Sequence, residues 1–491
     1  MKQGAMKSWH MALFFAALLV AFGGIARWSP ISEYPLTESI ALRIPQWGQG
    51  ASRDSAKVAA DSAVRAALQA VDTNIVLTET PKLSSQQHAI PAAPSNAPLV
   101  KATLKVEDGN GSVLEFPKGD TIMWAGFVTK LRAVGDSGAP LRVLHFGDSQ
   151  IEGDRMTSLI RSYFQSRYGG MGPGLQPLSP FVPMGSVAHS AEGQWNRYVS
   201  FGRKDQRLGD GQYGVRGVAH SYQWNPGEPP IAVTYKARKW GDRRVRTYRL
   251  VALEHGPIVD SALVSLYAKD SLIAAYQLTP GPAGYLSHQF ATPVNHIRWE
   301  FTGPSPVWYH ASMDGVGGVA VDNMAMRGAS GYTFSMMDQS HFGLALQNQN
   351  VGMVILQFGG NTVPYIKDAE TATKYGKRIA RQIRLFKRHL PGVAVLVIGP
   401  SDMAFKDGLE WESYEFVSEV RDAMRVAAHS EGAAFFDVLQ MMGGEGSMAI
   451  WASMDKPLAA PDHIHFTPAG ARLVGKVLVN AMDEHFKRYE E

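Results

Sequence analysis

Ser149, Asp462 and His465 have the residue types and settings that acyl-transfer chemistry requires. Ser149 stands in Gly147-Asp148-Ser149, directly after the apolar residues Leu141, Val143, Leu144 and Phe146. That run reads as a short buried strand, and helical spacing follows from Ile151 to Tyr168. A serine on such a tight strand-to-helix turn has an exposed hydroxyl, with helix N-terminal N–H groups aimed at whatever it attacks. The same residues equally fit an ordinary turn in which Asp148 and Ser149 only cap the helix. Activating a serine needs a base, and the base needs a carboxylate to fix its tautomer. The segment Ala460-Pro461-Asp462-His463-Ile464-His465-Phe466 supplies both, with Asp462 and His465 three residues apart. A tetrahedral intermediate also needs hydrogen-bond donors for its oxyanion. The backbone N–H groups of Ser149 and Gly328 and the side-chain amide of Asn361 are the candidates. A metal reading of Asp462, His463 and His465 finds no further clustered ligands, so neither metal nor cofactor is expected.

These residues need strand ends to hold them. Residues 318–324, 351–358, 393–398 and 433–439 read as buried strands, and residues 121–133, 369–390, 411–429 and a last helix opening at Thr467-Pro468 read as helices. Alternating buried strands and helices imply an α/β domain with a parallel, flavodoxin-like sheet, whose active sites lie at the carboxyl ends of the strands. Ser149, Gly328 and Asn361 each follow a strand by a few residues. Gly169-Gly170-Met171-Gly172-Pro173-Gly174 lacks the ending of a phosphate-binding loop and reads as turns. Asp154 and Arg155 read as structural ion-pair residues, Asp402 as a loop cap, and His463 as a neighbour that shapes its loop.

Between these halves the texture changes. Residues 181–317 lose helical stripes and carry short β-type runs punctuated by Gly, Pro and Asn, the pattern of an inserted all-β sandwich. Trp195, Tyr198, Tyr213, Tyr222, Trp224, Tyr235, Trp240, Trp299, Trp308 and Tyr309 crowd this module. Each is read first as core, while the module as a whole suits carbohydrate binding.

The 491-residue chain carries 48 Lys and Arg against 44 Asp and Glu and has no cysteine. The near balance of charge gives no sign of a nucleic-acid stripe, and the missing thiols exclude cysteine catalysis and disulfides. Lys2 and Lys7 precede an apolar run over residues 11–25, so residues 1–27 read as a signal peptide or an N-terminal membrane anchor. Residues 28–114, rich in Ala, Ser, Pro and Gln, read as a low-complexity linker, with a helix-prone stretch at 52–71.

The motifs together resemble the SGNH/GDSL hydrolase superfamily. Gly147-Asp148-Ser149 resembles its first block, with Gln150 where leucine is commonest. Asn323 and Gly328 resemble the second, and Gly359-Gly360-Asn361 the third, with Thr362 in place of the usual Asp. Asp462 and His465 resemble the last. The string His145-Phe146-Gly147-Asp148-Ser149-Gln150 with Gly153-Asp154-Arg155, the Gly-Gly-Asn block and the β insertion are similar to bacterial periplasmic peptidoglycan O-acetylesterases. This resemblance implies an SGNH hydrolase domain over 115–180 and 318–491 and a carbohydrate-binding-like insert over 181–317. It also implies catalysis by Ser149, Asp462 and His465, an oxyanion hole from Ser149, Gly328 and Asn361, and O-acetylated peptidoglycan or a related polysaccharide as the partner in the periplasm. Two other readings stay open: a periplasmic polysaccharide O-acetyltransferase using the same site, and a non-catalytic glycan-binding scaffold.

Overall fold

The computed structural model describes residues 33–37, 40–43, 114–117, 122–135, 138–240, 244–408 and 410–489. The expected signal or anchor at 1–27 and the helix-prone stretch at 52–71 lie outside them. The chain divides into two units, Met1–Pro91 and Ala92–Glu491. In the first, Glu33–Thr37 and Ile40–Arg43 pair antiparallel, so the segment read as linker contains a strand pair.

The second unit is built on a sheet whose strands we label β1 (Leu141–Gly147), β2 (Val319–Ala325), β3 (Val351–Gln357), β4 (Ala394–Ile398) and β5 (Ala434–Phe436). They run parallel in the order β2-β1-β3-β4-β5, and Leu114–Glu115 adds an antiparallel edge. This is the flavodoxin-like order, whose topological switch point lies between β1 and β3.

Alternation along each strand sends side chains to opposite faces. Leu144, Phe146, Val354, Leu356, Val395 and Val397 pack on one face with the helices Ala369–His389 and Val417–Ser430. Val143, Val321, Met353, Ile355, Leu396 and Ile398 pack on the other with Ile122–Arg132, Thr157–Tyr168 and Pro468–Lys487. Burial on both faces explains why these strands are continuous apolar runs. Each large side chain sealed this way contributes about 1.5–3 kcal/mol.

Between the helix Thr157–Tyr168 and β2 the chain forms two antiparallel sheets. One orders Ser271–Leu278, Ala262–Ala268, His296–Thr302, Ile231–Ala237 and Val187–Glu192. The other orders Gly284–Val294, Tyr248–His255, Trp308–Asp314, Val218–Gln223 and Gln194–Val199, with Gly174–Gln176 also pairing onto Trp308–Asp314. Their inner faces share a core of Tyr235, Tyr248, Trp299, Phe301 and Trp308. Tyr213, Tyr222, Tyr235, Trp299, Trp308 and Tyr309 are therefore buried, while Trp195, Tyr198 and Trp224 are partly exposed. The insertion is welded to the parallel sheet. Arg142 on β1 pairs with Asp314 of the insertion and, at 3.0 Å, with Asp322 on β2, all three buried. Tyr213, Val215, Ala219 and Tyr309 pack into the same core as Phe146 and Phe334.

Three local expectations are corrected. Helical spacing over 151–168 hides a break: Gly153 and Asp154 both take positive φ, so a short 3-10 turn, Ser149–Asp154, precedes the α-helix Thr157–Tyr168. Residues 411–416 are not helical. Ala404–Asp407 and Glu410–Ser413 form a small hairpin, and the helix starts at Val417. The strand read at 433–439 ends at Phe436, because Asp437 caps the helix Val438–Met442.

Candidate active site

The register of the sheet brings the candidates together. Gly147 at the end of β1 pairs with Ala325 of β2 on one side and Gln357 of β3 on the other. Ser149, Gly328 and Asn361 leave these three level strand ends within a few residues. Gly147 suits the close approach, since a Cβ there would lie a tight 3.0 Å from both the Gln357 carbonyl oxygen and the Ile151 side chain. The loop with Asp462 and His465 arrives from the far end of the chain, just before Thr467 caps the last helix by accepting from Gly470 N–H at 3.2 Å.

Ser149 Oγ lies 2.8 Å from His465 Nε2, and His465 Nδ1 lies 2.7 Å from Asp462 Oδ2. Nδ1 must carry the proton it donates to Asp462, which leaves Nε2 as the acceptor for the serine hydroxyl. Asp462 Oδ1 also accepts from the Ile464 and His465 N–H groups, each at 3.0 Å. Burial would raise the Asp462 carboxyl, but the hydrogen bonds and charge of His465 outweigh it and hold the carboxyl down at about 2. A carboxylate faces the imidazole at any physiological pH.

The two roles weighed for the turn are divided between neighbours. Asp148 is the cap: its Oδ1 accepts from Gln150 N–H at 3.0 Å. Ser149 is thereby left to face His465. Neither the Ser149 nor the Gly328 N–H donates to a protein acceptor among the described residues. Asn361 Nδ2 lies 3.2 Å from Asp148 Oδ2 and 3.3 Å from the Ala329 carbonyl oxygen, so the carboxylate fixes which way the amide points. Burial pushes the Asp148 carboxyl up to about 6, against the hydrogen bonds from Gln150 and Asn361.

Several positioning contacts were not foreseen. Gln150 grips the histidine loop on both sides of His465. Its Nε2 donates to the Ile464 carbonyl at 2.6 Å, and its Oε1 accepts from Phe466 N–H at 3.2 Å. Arg155 donates to the carbonyl oxygens of Glu152 at 2.9 Å, Phe466 at 3.0 Å and Ser149, tying the two loops together. The visible signal was the departure from leucine at Gln150 and its recurrence with Gly153-Asp154-Arg155 in one string. Asp154, read as an ion-pair residue, pairs with the buried Arg161 at 2.6 Å. His145 bonds Gln357 and Thr157, each at 3.0 Å, and burial lowers it to about 4, so it is neutral structural glue. Asn323 joins that network by donating to Thr157 Oγ1 and the Ile151 carbonyl, each at 2.8 Å. Asp402 accepts from Ser413 Oγ and Met448 N–H, a loop cap. His463 stacks on Trp411 with ring centroids 3.6 Å apart. Among the described residues no cluster of His, Asp and Glu is placed to hold a metal ion.

A solved structure of a peptidoglycan O-acetylesterase superposes with a TM-score of 0.60 at 20% identity, over 77% of this chain and 99% of that one. The fold is that of the SGNH hydrolases. Residues 270–473 match the GDSL-like lipase/acylhydrolase family. That match begins inside the β insertion and takes in Gly328, Asn361, Asp462 and His465 but not Ser149. A salicylyl-acyltransferase of a tetracycline biosynthetic pathway is a more distant likeness, with 11% identity and a TM-score of 0.28 over 63% of this chain and 97% of that one. So is a family two carbohydrate esterase with a carbohydrate-binding domain from Corynascus thermopiles (Myceliophthora fergusii), with 12% identity and a TM-score of 0.25 over 53% of this chain and 96% of that one. No curated protein matches the chain by sequence.

Proposed function

We propose that this chain is a serine esterase that removes O-acetyl groups from cell-wall glycan, with peptidoglycan as the polymer. The observation that carries the proposal is the unbroken relay from Ser149 Oγ through His465 to Asp462, 2.8 and 2.7 Å, beside two unengaged N–H donors. The hydroxyl of Ser149 attacks the acetyl carbonyl as His465 Nε2 takes its proton. Asp462 holds the ring and stabilises its charge. The oxyanion sits among the Ser149 and Gly328 N–H groups and Asn361, whose amide turns from the Ala329 carbonyl to reach it. His465 returns the proton to the departing sugar oxygen. Water, deprotonated by the same nitrogen, then attacks acetyl-Ser149 and releases acetate.

The choice of peptidoglycan rests on the sequence string around Ser149 and on the likeness in fold to an enzyme of that name. The β insertion as a carbohydrate-binding module and a periplasmic location, with residues 1–27 as signal or inner-membrane anchor, belong to the same proposal. Acetate release by the full chain from O-acetylated peptidoglycan, acetylated xylan and acetylated alginate tests it. Fastest release from peptidoglycan is expected. Faster release from another polymer overturns the substrate, and acetylated sugar formed in excess of acetate when an acceptor is added overturns the hydrolytic outcome.

A further inference from the structure

A cleft of about 180 Å3 lies between the β insertion and the serine turn. Glu152, three residues past Ser149, and Arg327, next to Gly328, form one wall. Phe181, Arg197 and Arg216 form the other. Its charge is unbalanced. Three guanidinium groups face one carboxylate, and Glu152 is already held by Arg327, with Oε1 accepting from Nε at 2.8 Å and Oε2 from Nη2 at 2.7 Å. Arg216 donates through Nη1 to the Leu175 and Asn323 carbonyls at 2.8 and 2.9 Å and makes no ion pair among the described residues, although the charge of Asp322, already paired with Arg142, acts on it at longer range. The Arg197 side chain makes neither a hydrogen bond nor an ion pair among the described residues. The Nε atoms of both Arg197 and Arg216 are buried without a partner.

Burying an unpaired cation is costly. Burial lowers both groups, to about 10, so both remain charged at neutral pH. Arg197, which makes no ion pair, is held by the ring of Phe181, with the charge of Glu152 acting on it at longer range. The guanidinium carbons of Arg197 and Arg327 lie 5.1 and 5.2 Å from its centroid, and the ring is 50% exposed at the mouth of the cleft.

We propose that this cleft binds a carboxylate carried by the glycan substrate next to its acetyl ester. The volume of about 180 Å3 has room for a carboxylate-bearing substituent. The guanidinium groups supply the fork that a carboxylate accepts. One wall belongs to the serine turn and the oxyanion loop, so a group bound there is a substituent of the sugar being deacetylated. The inference rests on the esterase reading for that last step. On a muramoyl residue two sources carry the chemistry: the lactyl carboxylate itself, or a carboxylate of a short peptide amide-linked to it.

Calorimetric titration of the full chain with N-acetylmuramic acid, muramyl dipeptide and N-acetylglucosamine tests the cleft directly. N-acetylmuramic acid, the dipeptide or both are expected to bind about tenfold tighter than the neutral sugar, and the tighter of the two identifies the source. Arg197→Gln is expected to abolish that preference, and Arg197→Lys, which keeps the charge and packing, to retain part of it. Equal binding of all three ligands to the wild-type chain overturns the proposal, as does a preference that survives Arg197→Gln. Hydrolysis of nitrophenyl acetate by the wild-type chain is measured beside it. Its absence counts against the esterase reading, whereas the binding comparison needs no turnover and bears on the cleft alone.

Discussion

Replacing Gln150 by leucine removes the grip on the histidine loop while keeping side-chain size. The Ile464 carbonyl and the Phe466 N–H lose partners at 2.6 and 3.2 Å, and a longer contact to Ser401 Oγ at 3.4 Å goes too. Polar groups left unsatisfied in a buried setting cost about 1–3 kcal/mol each, and these are only partly buried, so about 2 kcal/mol in total is reasonable. Both bonds flank His465, so the loss falls on the fraction of molecules in which Nε2 sits within reach of Ser149. An energy of about 2 kcal/mol corresponds to a roughly 30-fold fall in the equilibrium constant for that placement, the upper limit of the fall in that fraction. Arg155 still ties Ser149 to Phe466, which moderates the loss, so kcat for nitrophenyl acetate is expected to drop about 10- to 30-fold with KM little changed. Steady-state kinetics with thermal melting as a control separates this from general destabilisation. A Gln150→Leu chain with kcat within twofold of wild type would refute the positioning role. A rise in KM at unchanged kcat would move Gln150 to substrate binding instead.

Other perturbations read other parts of the site. Asn361→Ala should lower kcat about 10²–10³-fold on any acetyl ester, the loss typical of one oxyanion donor, and steady-state kinetics checks it. Asp148 titrates near 6 in the native chain, against about 3.9 for an ordinary aspartate. Between about pH 4 and 6 the native state therefore holds a proton that the unfolded state has lost. Stability falls as pH rises through that window, by at most roughly 3 kcal/mol. Asp148→Asn should remove this fall in denaturant melts at pH 4.5 and 7.5, yet lower kcat by freeing the Asn361 amide. Arg142→Met leaves Asp314 and Asp322 buried without their shared cation and should destabilise the chain by about 3–5 kcal/mol in urea melts.

The parallel sheet was legible because its strands are buried on both faces and so are written as unbroken apolar runs, as in 351–357. The relay was legible because its parts lie at strand ends and at a helix cap, where Gly, Asp, Ser and Thr-Pro punctuate the chain. Short elements were not. The hairpin at 404–413 has only four residues a side and no buried stripe of its own, and Trp411 read as the start of a helix. The kink at Gly153 and Asp154 escaped because apolar spacing continues across it while the backbone reverses hand. Contacts between segments far apart in sequence left still less trace. Gln150 to Ile464, Asp148 to Asn361 and Glu152 to Arg327 each depend on where loops from different strands meet, and a single polar residue does not announce its partner.

The most direct test of Ser149 as nucleophile is covalent labelling with a serine-directed organophosphonate, followed by peptide mapping. A single adduct on the peptide carrying Ser149 is expected, absent in Ser149→Ala and formed far more slowly in His465→Ala, with acetate release lost in step. An adduct on another residue, or a Ser149→Ala chain that releases acetate at the wild-type rate, would contradict it.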